Sequence, residues 1–218
     1  MRKARLQPQS RRRWIAGLAL LLALALWGRG GWLYAKAGLA QVLLARAWER
    51  TVEAGASIEA ESAIEVGRTA EFVPWPWADT YPVARLEVPR LGVRRIVLAG
   101  SSGRTLAFGP GHVAGTALPG EAGHAAVGGH RDTHLAFLQR LRPGDELVVE
   151  TRRGELRRYR VDHREVVDHR DTGVLVDLGE RRLSLITCYP FDAVVPGGPL
   201  RYVVSAAEVI GPDGADSA

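Results

Sequence analysis

The stretch RLSLITCYPFDAVVPGGPLRYVVSAAEVI, residues 182–210, sets two runs rich in β-branched residues around a loop with three prolines and two glycines. That pattern predicts two strands joined as an antiparallel hairpin. In such a hairpin the end of the first strand lies beside the start of the second. Cys188 and Arg201 then become cross-strand neighbours, with Cα atoms about 5 Å apart. Cys188 is the only cysteine in the chain, so it cannot close an internal disulfide. It reads as a small buried hydrophobe, a reactive nucleophile or a link to another chain. An arginine opening a strand is often an ordinary surface residue, so the pairing alone does not decide between these.

Working upstream, similar short runs recur: ARLEVP, VRRIVL, HAAVGGH, ELVVET and LRRYRVDHREVV. Turn signals separate several of them, at Pro119-Gly120, Pro143-Gly144-Asp145, Gly179 and Gly197-Gly198-Pro199. Seven or more short strands with little helical text predict a mostly β barrel or sandwich of about 135 residues. The segment FVPWPWADTYP, residues 72–82, carries three prolines and reads as a linker or extended entry to that domain. Before it, residues 36–66 are rich in helix formers, and Leu39, Val42, Leu43, Ala47 and Trp48 recur at helical spacing. They predict a stalk or packing helix, lying either on a bilayer or on the domain.

The charge is unevenly spread. The net charge of +5 is outweighed by six positive residues among the first thirteen, Arg2, Lys3, Arg5, Arg11, Arg12 and Arg13, which leaves the remainder at −1. A nucleic-acid partner is therefore not expected, in spite of the basic total. The basic start precedes the apolar run WIAGLALLLALALW, residues 14–27. Extended to Tyr34 it is long enough to cross a bilayer, with Arg29 placed to snorkel at the far side and Trp27, Trp32 and Tyr34 suited to the interface. A cleaved signal peptide, with Ala35-Lys36-Ala37 as the processing site, is the weaker alternative, because those residues lie far beyond the apolar run. Either way the body is exported, and the positive-inside rule puts residues 1–13 in the cytoplasm. The expected organisation is a basic tail and transmembrane anchor at 1–35, a helical stalk at 36–72, a β-domain at 73–211 and a flexible tail at 212–218.

A cysteine nucleophile needs a proton acceptor and donor, since a free thiol is only a few per cent ionised at neutral pH. Of six histidines, His130 ends the apolar run HAAVGGH, where glycines permit close backbone approach. His163 and His169 lie in charged text and read as solvated. The pair His130 and His134 has the spacing of two zinc ligands, but Arg131 stands where the zinc-protease pattern needs a glutamate. No metal is expected there.

Three pieces together resemble the sortase family: GGHRDTHLAFLQRLRPGDEL around His130, LSLITCYPF around Cys188 and GGPLRYVV around Arg201. The family's cysteine motif has the form Thr-Leu-x-Thr-Cys. Here Ser184, Leu185, Ile186, Thr187 and Cys188 match it, with serine replacing the first threonine. The order His, Cys, Arg and the interval between the last two also fit. The arginine-rich start, KAGLAQVLL, the Trp-Pro-Trp linker and TCYPFDAVVPGGPLRY look most like the class found in Gram-negative proteobacteria. The resemblance, over about residues 80–210, implies an eight-stranded β-barrel and a cysteine transpeptidase. Cys188 would attack the carbonyl carbon of a sorting signal, often Leu-Pro-x-Thr followed by a small residue, and form a thioacyl enzyme. His130 would protonate the leaving amine and deprotonate the incoming one, Arg201 would bind the substrate or its oxyanion, and Thr187 would support the site.

The resemblance also implies one exported substrate protein with a C-terminal signal, an amine acceptor that it does not identify, and an inner-membrane anchor with the catalytic domain outside the cytoplasm. No cofactor is implied. Calcium, which some members bind, finds no ligand cluster here, and Asp168, Asp171 and Asp177 read as turn residues. Two other readings stand beside this one. Another envelope cysteine acyl-transferase, such as an L,D-transpeptidase, would carry a Ser-x-Gly-Cys motif, which is absent. A membrane-anchored β-domain that binds a partner would leave Cys188 buried and inert.

Overall fold

A computed structural model describes residues 14, 17–18, 38–55, 71–177, 179–195 and 197–209. The chain divides into two compact units, residues 1–41 and 42–218. Of the first unit, residues 14, 17, 18 and 38–41 are described, and all are helical. The rest of the expected anchor, the 35–37 processing site and the 212–218 tail lie outside the described residues. Among the described residues, no helix is long and apolar enough to cross a membrane.

The second unit is a closed barrel of eight strands. They are β1 (Pro82–Val88), β2 (Val93–Leu98), β3 (Gly111–His112), β4 (His124–Gly129), β5 (Glu146–Thr151), β6 (Leu156–Asp168), β7 (Arg182–Cys188) and β8 (Leu200–Glu208). Around the barrel they run β1-β2-β3-β4-β7-β8-β6-β5, and β5 closes on β1. The pairs β2–β3 and β4–β7 are parallel and the others antiparallel. Seven of these strands coincide with the apolar runs of the sequence. The eighth, β3, is two residues long.

Alternation with period two fills the interior. Ala84, Leu86 and Val88 of β1, Leu147 and Val149 of β5, Tyr159 and Val161 of β6 and Leu183 and Leu185 of β7 all join one buried cluster. The run after β4 completes it: Leu135, Phe137, Leu138 and Leu141 pack into the same cluster around a short 3-10 turn, Ala136–Arg140. A one-residue irregularity in β6 breaks the alternation. Val161 pairs with Ala206 but His163 with Ser205, which leaves Asp162 as the extra residue. Because each added residue flips the following side chains to the other face, Val167 turns out of the core.

Residues 38–55 form a helix, α1. Within the second unit its residues Leu44, Ala47, Trp48, Thr51 and Gly55 are buried, at helical spacing. The Trp48 indole N–H donates to Glu150 of β5 at 2.9 Å. A Cβ at Gly55 would collide with the Arg152 carbonyl, so this stretch lies directly on the barrel. The Trp-Pro-Trp segment is also docked: Trp75 meets Phe108 edge-on at 4.9 Å, and the Thr80 hydroxyl donates to the Ala99 carbonyl at 2.8 Å.

Candidate active site

The strands β4, β7 and β8 lie side by side, and their register assembles the site. Gly129 is opposite Thr187 in the parallel pair, so the next residue, His130, continues beside Cys188. Cys188 in turn pairs with Arg201 in the antiparallel pair. His130, Cys188 and Arg201 therefore occupy neighbouring strands at one rim. The cross-strand pairing inferred for Cys188 and Arg201 is the observed register.

All three residues open on the outer face of the barrel. They line a groove of about 380 Å³ together with Ile186, Val203, Leu106 and Leu175. Leu106 closes a short helix, α2 (Gly103–Leu106), and Leu175 ends a 3-10 turn, Gly173–Leu175. The flip at Asp162 delivers Val167 to the same groove, opposite Arg201. Cys188 is a free, half-buried thiol and His130 is exposed, so both can reach a ligand lying in the groove.

Thr187 faces the other way. It is 2% exposed, and its hydroxyl donates to the Gly129 carbonyl at 2.7 Å. That bond joins the residue before the thiol to the residue before the imidazole. The Ser184 hydroxyl, which stands where the sortase pattern has threonine, lies 2.8 Å from His124 Nε2 and 3.0 Å from the Ser205 hydroxyl. His124 Nδ1 lies 3.1 Å from the Val176 carbonyl. A carbonyl can only accept, so Nδ1 carries the proton; in the neutral ring, Nε2 then accepts from Ser184. This buried chain ties β7 and β8 to the loop that forms the groove wall.

The charges around the rim are settled locally. The Arg170 side chain and backbone N–H hold the Asp168 carboxyl below the usual range, with smaller help from His169 and Arg201. Arg201 Nη1 donates to the carbonyls of Gly198 at 2.8 Å and Leu200 at 2.9 Å. Burial and the nearby Arg95 push His134 below the ordinary histidine range, which favours the neutral ring close to His130. Asp171 and Asp177 each accept a backbone N–H two residues on, the geometry of turn-forming aspartates.

Sequence reasoning brought His130, Cys188, Arg201 and Thr187 to this rim, but it missed the groove wall. His169, read as solvated, is exposed yet lines the groove, and its backbone N–H donates to the Pro199 carbonyl at 2.6 Å. Thr172 and Val174 line it as well. His124 had no signal in the sequence beyond its place at the start of an apolar run.

Proteins similar to this chain in sequence or fold include several sortases. A Sortase D of Bacillus subtilis (strain 168) is 32% identical over 125 residues, which cover 57% of this chain and 62% of that protein. Among solved structures, sortase C-1 of Actinomyces oris is 27% identical with a TM-score of 0.55, over 75% of this chain and 99% of that one. A Sortase D5 transpeptidase of Clostridium perfringens shares the fold at 24% identity and a TM-score of 0.55, with the same coverage of each chain. These relatives do not support the proteobacterial class suggested by the arginine-rich start and the Trp-Pro-Trp linker. The Sortase domain family model matches residues 86–209, from within β1 to just beyond β8, and the chain belongs to the sortase family.

Proposed function

We propose that the protein is a membrane-anchored cysteine transpeptidase that cuts a C-terminal sorting signal and joins the upstream part to an amine. The observation that carries this reading is the register across β4, β7 and β8, with Gly129 opposite Thr187 and Cys188 opposite Arg201. Cys188 Sγ attacks the carbonyl carbon of the scissile peptide bond. A C–S bond forms as the C–N bond breaks, and the thiol proton passes through His130 to the leaving amine. An incoming amine then gives a proton to His130 and displaces the thiolate, or water does so in simple hydrolysis. Arg201 donates to the carbonyl oxygen as negative charge develops on it.

The apolar lining, from Leu106, Val174, Leu175, Ile186 and Val203, suits a signal of the Leu-Pro-x-Thr-(Gly/Ala) kind, whose leucine and proline would leave water there. The substrate is an exported protein with this signal at its C-terminus. Residues 1–35 supply the plasma-membrane anchor, with the N-terminus in the cytoplasm and the barrel outside it.

Intact-protein mass spectrometry tests the reading. The full chain is incubated with a pool of Leu-Pro-x-Thr-(Gly/Ala) peptides beside Cys188→Ala. A mass increase equal to the N-terminal peptide fragment, absent from the variant, is expected. Arg201→Ala should form the adduct about 10²–10³-fold more slowly. An adduct that persists in Cys188→Ala, or neither adduct nor cleavage across a broad pool, refutes it.

A further inference from the structure

The residue after His130 makes contacts that the transpeptidase chemistry does not call on. Arg131 is only 8% exposed. Its Nη2 donates to two carbonyls of the β7–β8 loop, Ala193 at 2.7 Å and Val195 at 3.0 Å. Among the described residues no carboxylate pairs with it, and its buried Nη1 has no partner. A desolvated cation held only by backbone carbonyls is unusual, because buried charges are ordinarily paired.

The start of that loop is packed, with Phe191 and Tyr189 against Tyr202, but its tip is not. The side chains of Val194 and Val195 are 97% and 76% exposed, so the tip buries no apolar surface to anchor it. Beyond the tip, Gly197 and Gly198 both adopt positive φ, +89° and +101°. Among the described residues, the backbone bonds of the loop lie near its ends: Tyr189 N–H to Leu200, Ala193 N–H to Pro190 and His169 N–H to Pro199. Among the described residues of the tip, Ala193 and Val195 are therefore held by Arg131. Further along the loop, the Gly198 carbonyl accepts from Arg201 Nη1. One loop thus contacts both Arg131, the residue after His130, and Arg201, the register partner of Cys188.

The geometry points to Arg131 as a positioning residue that sets Arg201 over Cys188 through the β7–β8 loop. With its tip released, the loop swings about Gly197 and Gly198. The Gly198 carbonyl then leaves Arg201, whose Nη1 keeps only the Leu200 carbonyl, and the guanidinium spreads over more rotamers. Fewer molecules hold it where the substrate carbonyl sits, so the cost falls on turnover more than on folding. Lysine cannot replace it: its side chain is one bond shorter and lacks the planar fork.

This inference rests on the transpeptidase reading. The test is a double-mutant cycle on the full chain. Arg131→Lys and Arg131→Met are made alone and with Arg201→Ala, and kcat/KM is measured on the peptide that acylates the wild type. Thermal midpoints and thermolysin nicking at Val194–Val195 are followed in parallel. Arg131→Lys should lower kcat/KM about 10-fold or more, since a displacement of about 1 Å can cost 10²-fold. It should also speed nicking at the tip while leaving the midpoint near wild type. In the Arg201→Ala background the same substitution should change kcat/KM by less than about twofold, because its effect passes through a residue already removed. If Arg131→Met does not fold, the lysine variant carries the test. The full loss persisting without Arg201, or wild-type turnover and wild-type nicking in Arg131→Lys, overturns the inference. Absence of an acyl enzyme in the wild type overturns the transpeptidase reading and the inference with it; a wild-type acyl enzyme with indifferent Arg131 variants overturns the inference alone.

Discussion

Replacing Thr187 by valine removes one hydroxyl and keeps the branched shape. The hydroxyl is buried and donates to the Gly129 carbonyl at 2.7 Å. Losing the bond costs about 1 kcal/mol net, and leaving a buried carbonyl short of a partner adds to that, for a total of about 1–3 kcal/mol. For a domain of this size, 2 kcal/mol lowers Tm by roughly 8 °C. A second effect falls on chemistry: the freed carbonyl belongs to the residue before His130, so the imbalance reaches the proton donor directly. Thermal melts followed by far-ultraviolet circular dichroism, with kcat/KM on the acylating peptide, read both effects. Thr187→Ser restores the donor and should recover most of each. A valine variant that melts with the wild type refutes the bond as a stabilising tie. A large loss of turnover at unchanged Tm would instead put the hydroxyl on the substrate.

Three further outcomes follow from the packing and the charges. Gly129→Ala should destabilise by about 1–3 kcal/mol in a urea melt, because its Cβ would come within 2.7 Å of Leu135 Cγ and 2.9 Å of Cδ1 in the core; Gly128→Ala, which meets nothing nearer than 3.9 Å, should be far milder, and equal midpoints for the two refute the clash. Burial, aided by Glu208, pushes the Tyr159 hydroxyl up to about 12 from 10.0. A raised folded value gives stability that is complete below about pH 10 and lost as the pH climbs toward 12, so Tyr159→Phe should lose less stability than the wild type between about pH 9 and 11; equal losses refute it. Arg90, bonded to both Asp145 carboxylate oxygens, holds that carboxyl below its usual value. Its contribution is present above about pH 4 and lost as the pH falls through the lowered value, so Asp145→Asn should flatten the acid side of a Tm-versus-pH curve; an unchanged slope below about pH 4 removes the pair from acid stability.

Local pattern carried most of the barrel. Strands such as β1 and β5 announce themselves because one face is packed and the other solvated, and alternation records that directly. The Cys188–Arg201 pairing was legible for a related reason: a hairpin brings the strand ends together whatever the loop does. Other features left no such trace. β3 is Gly111–His112 alone, too short for any period, although it links β2 to β4 and so completes the closed barrel. The parallel union of β4 and β7 joins residues some 58 positions apart, His124 with Arg182 through Gly129 with Thr187, and the sequence offered only that both strands end in a reactive side chain. The groove wall at residues 168–175 is made by turn conformation, so His169 looked like any other charged-loop histidine. Arg131 was legible only as an obstacle to zinc, because the carbonyls that explain it lie 62 and 64 residues downstream.

The site places a strict demand on register. His130, Cys188, Arg201 and Val167 share one face only because the pairings across β4, β7, β8 and β6 are all in step. A slip of one residue in β7 would turn Cys188 into the core and bring Thr187 to the groove, since side chains alternate strictly. Hydrogen bonds between backbones alone would resist such a slip weakly, because the ladder re-forms one residue along. Side chains give the register its preference. Inside the barrel, the Thr187 hydroxyl finds Gly129; outside it, Ser184 meets its register partner Ser205 and the His124 ring. A slipped β7 would break both and leave polar groups buried without partners, a far larger cost than the shifted backbone bonds. The two hydroxyls of the Ser-Leu-Ile-Thr-Cys segment thus act from opposite faces of one strand to hold the cysteine beside its histidine and arginine.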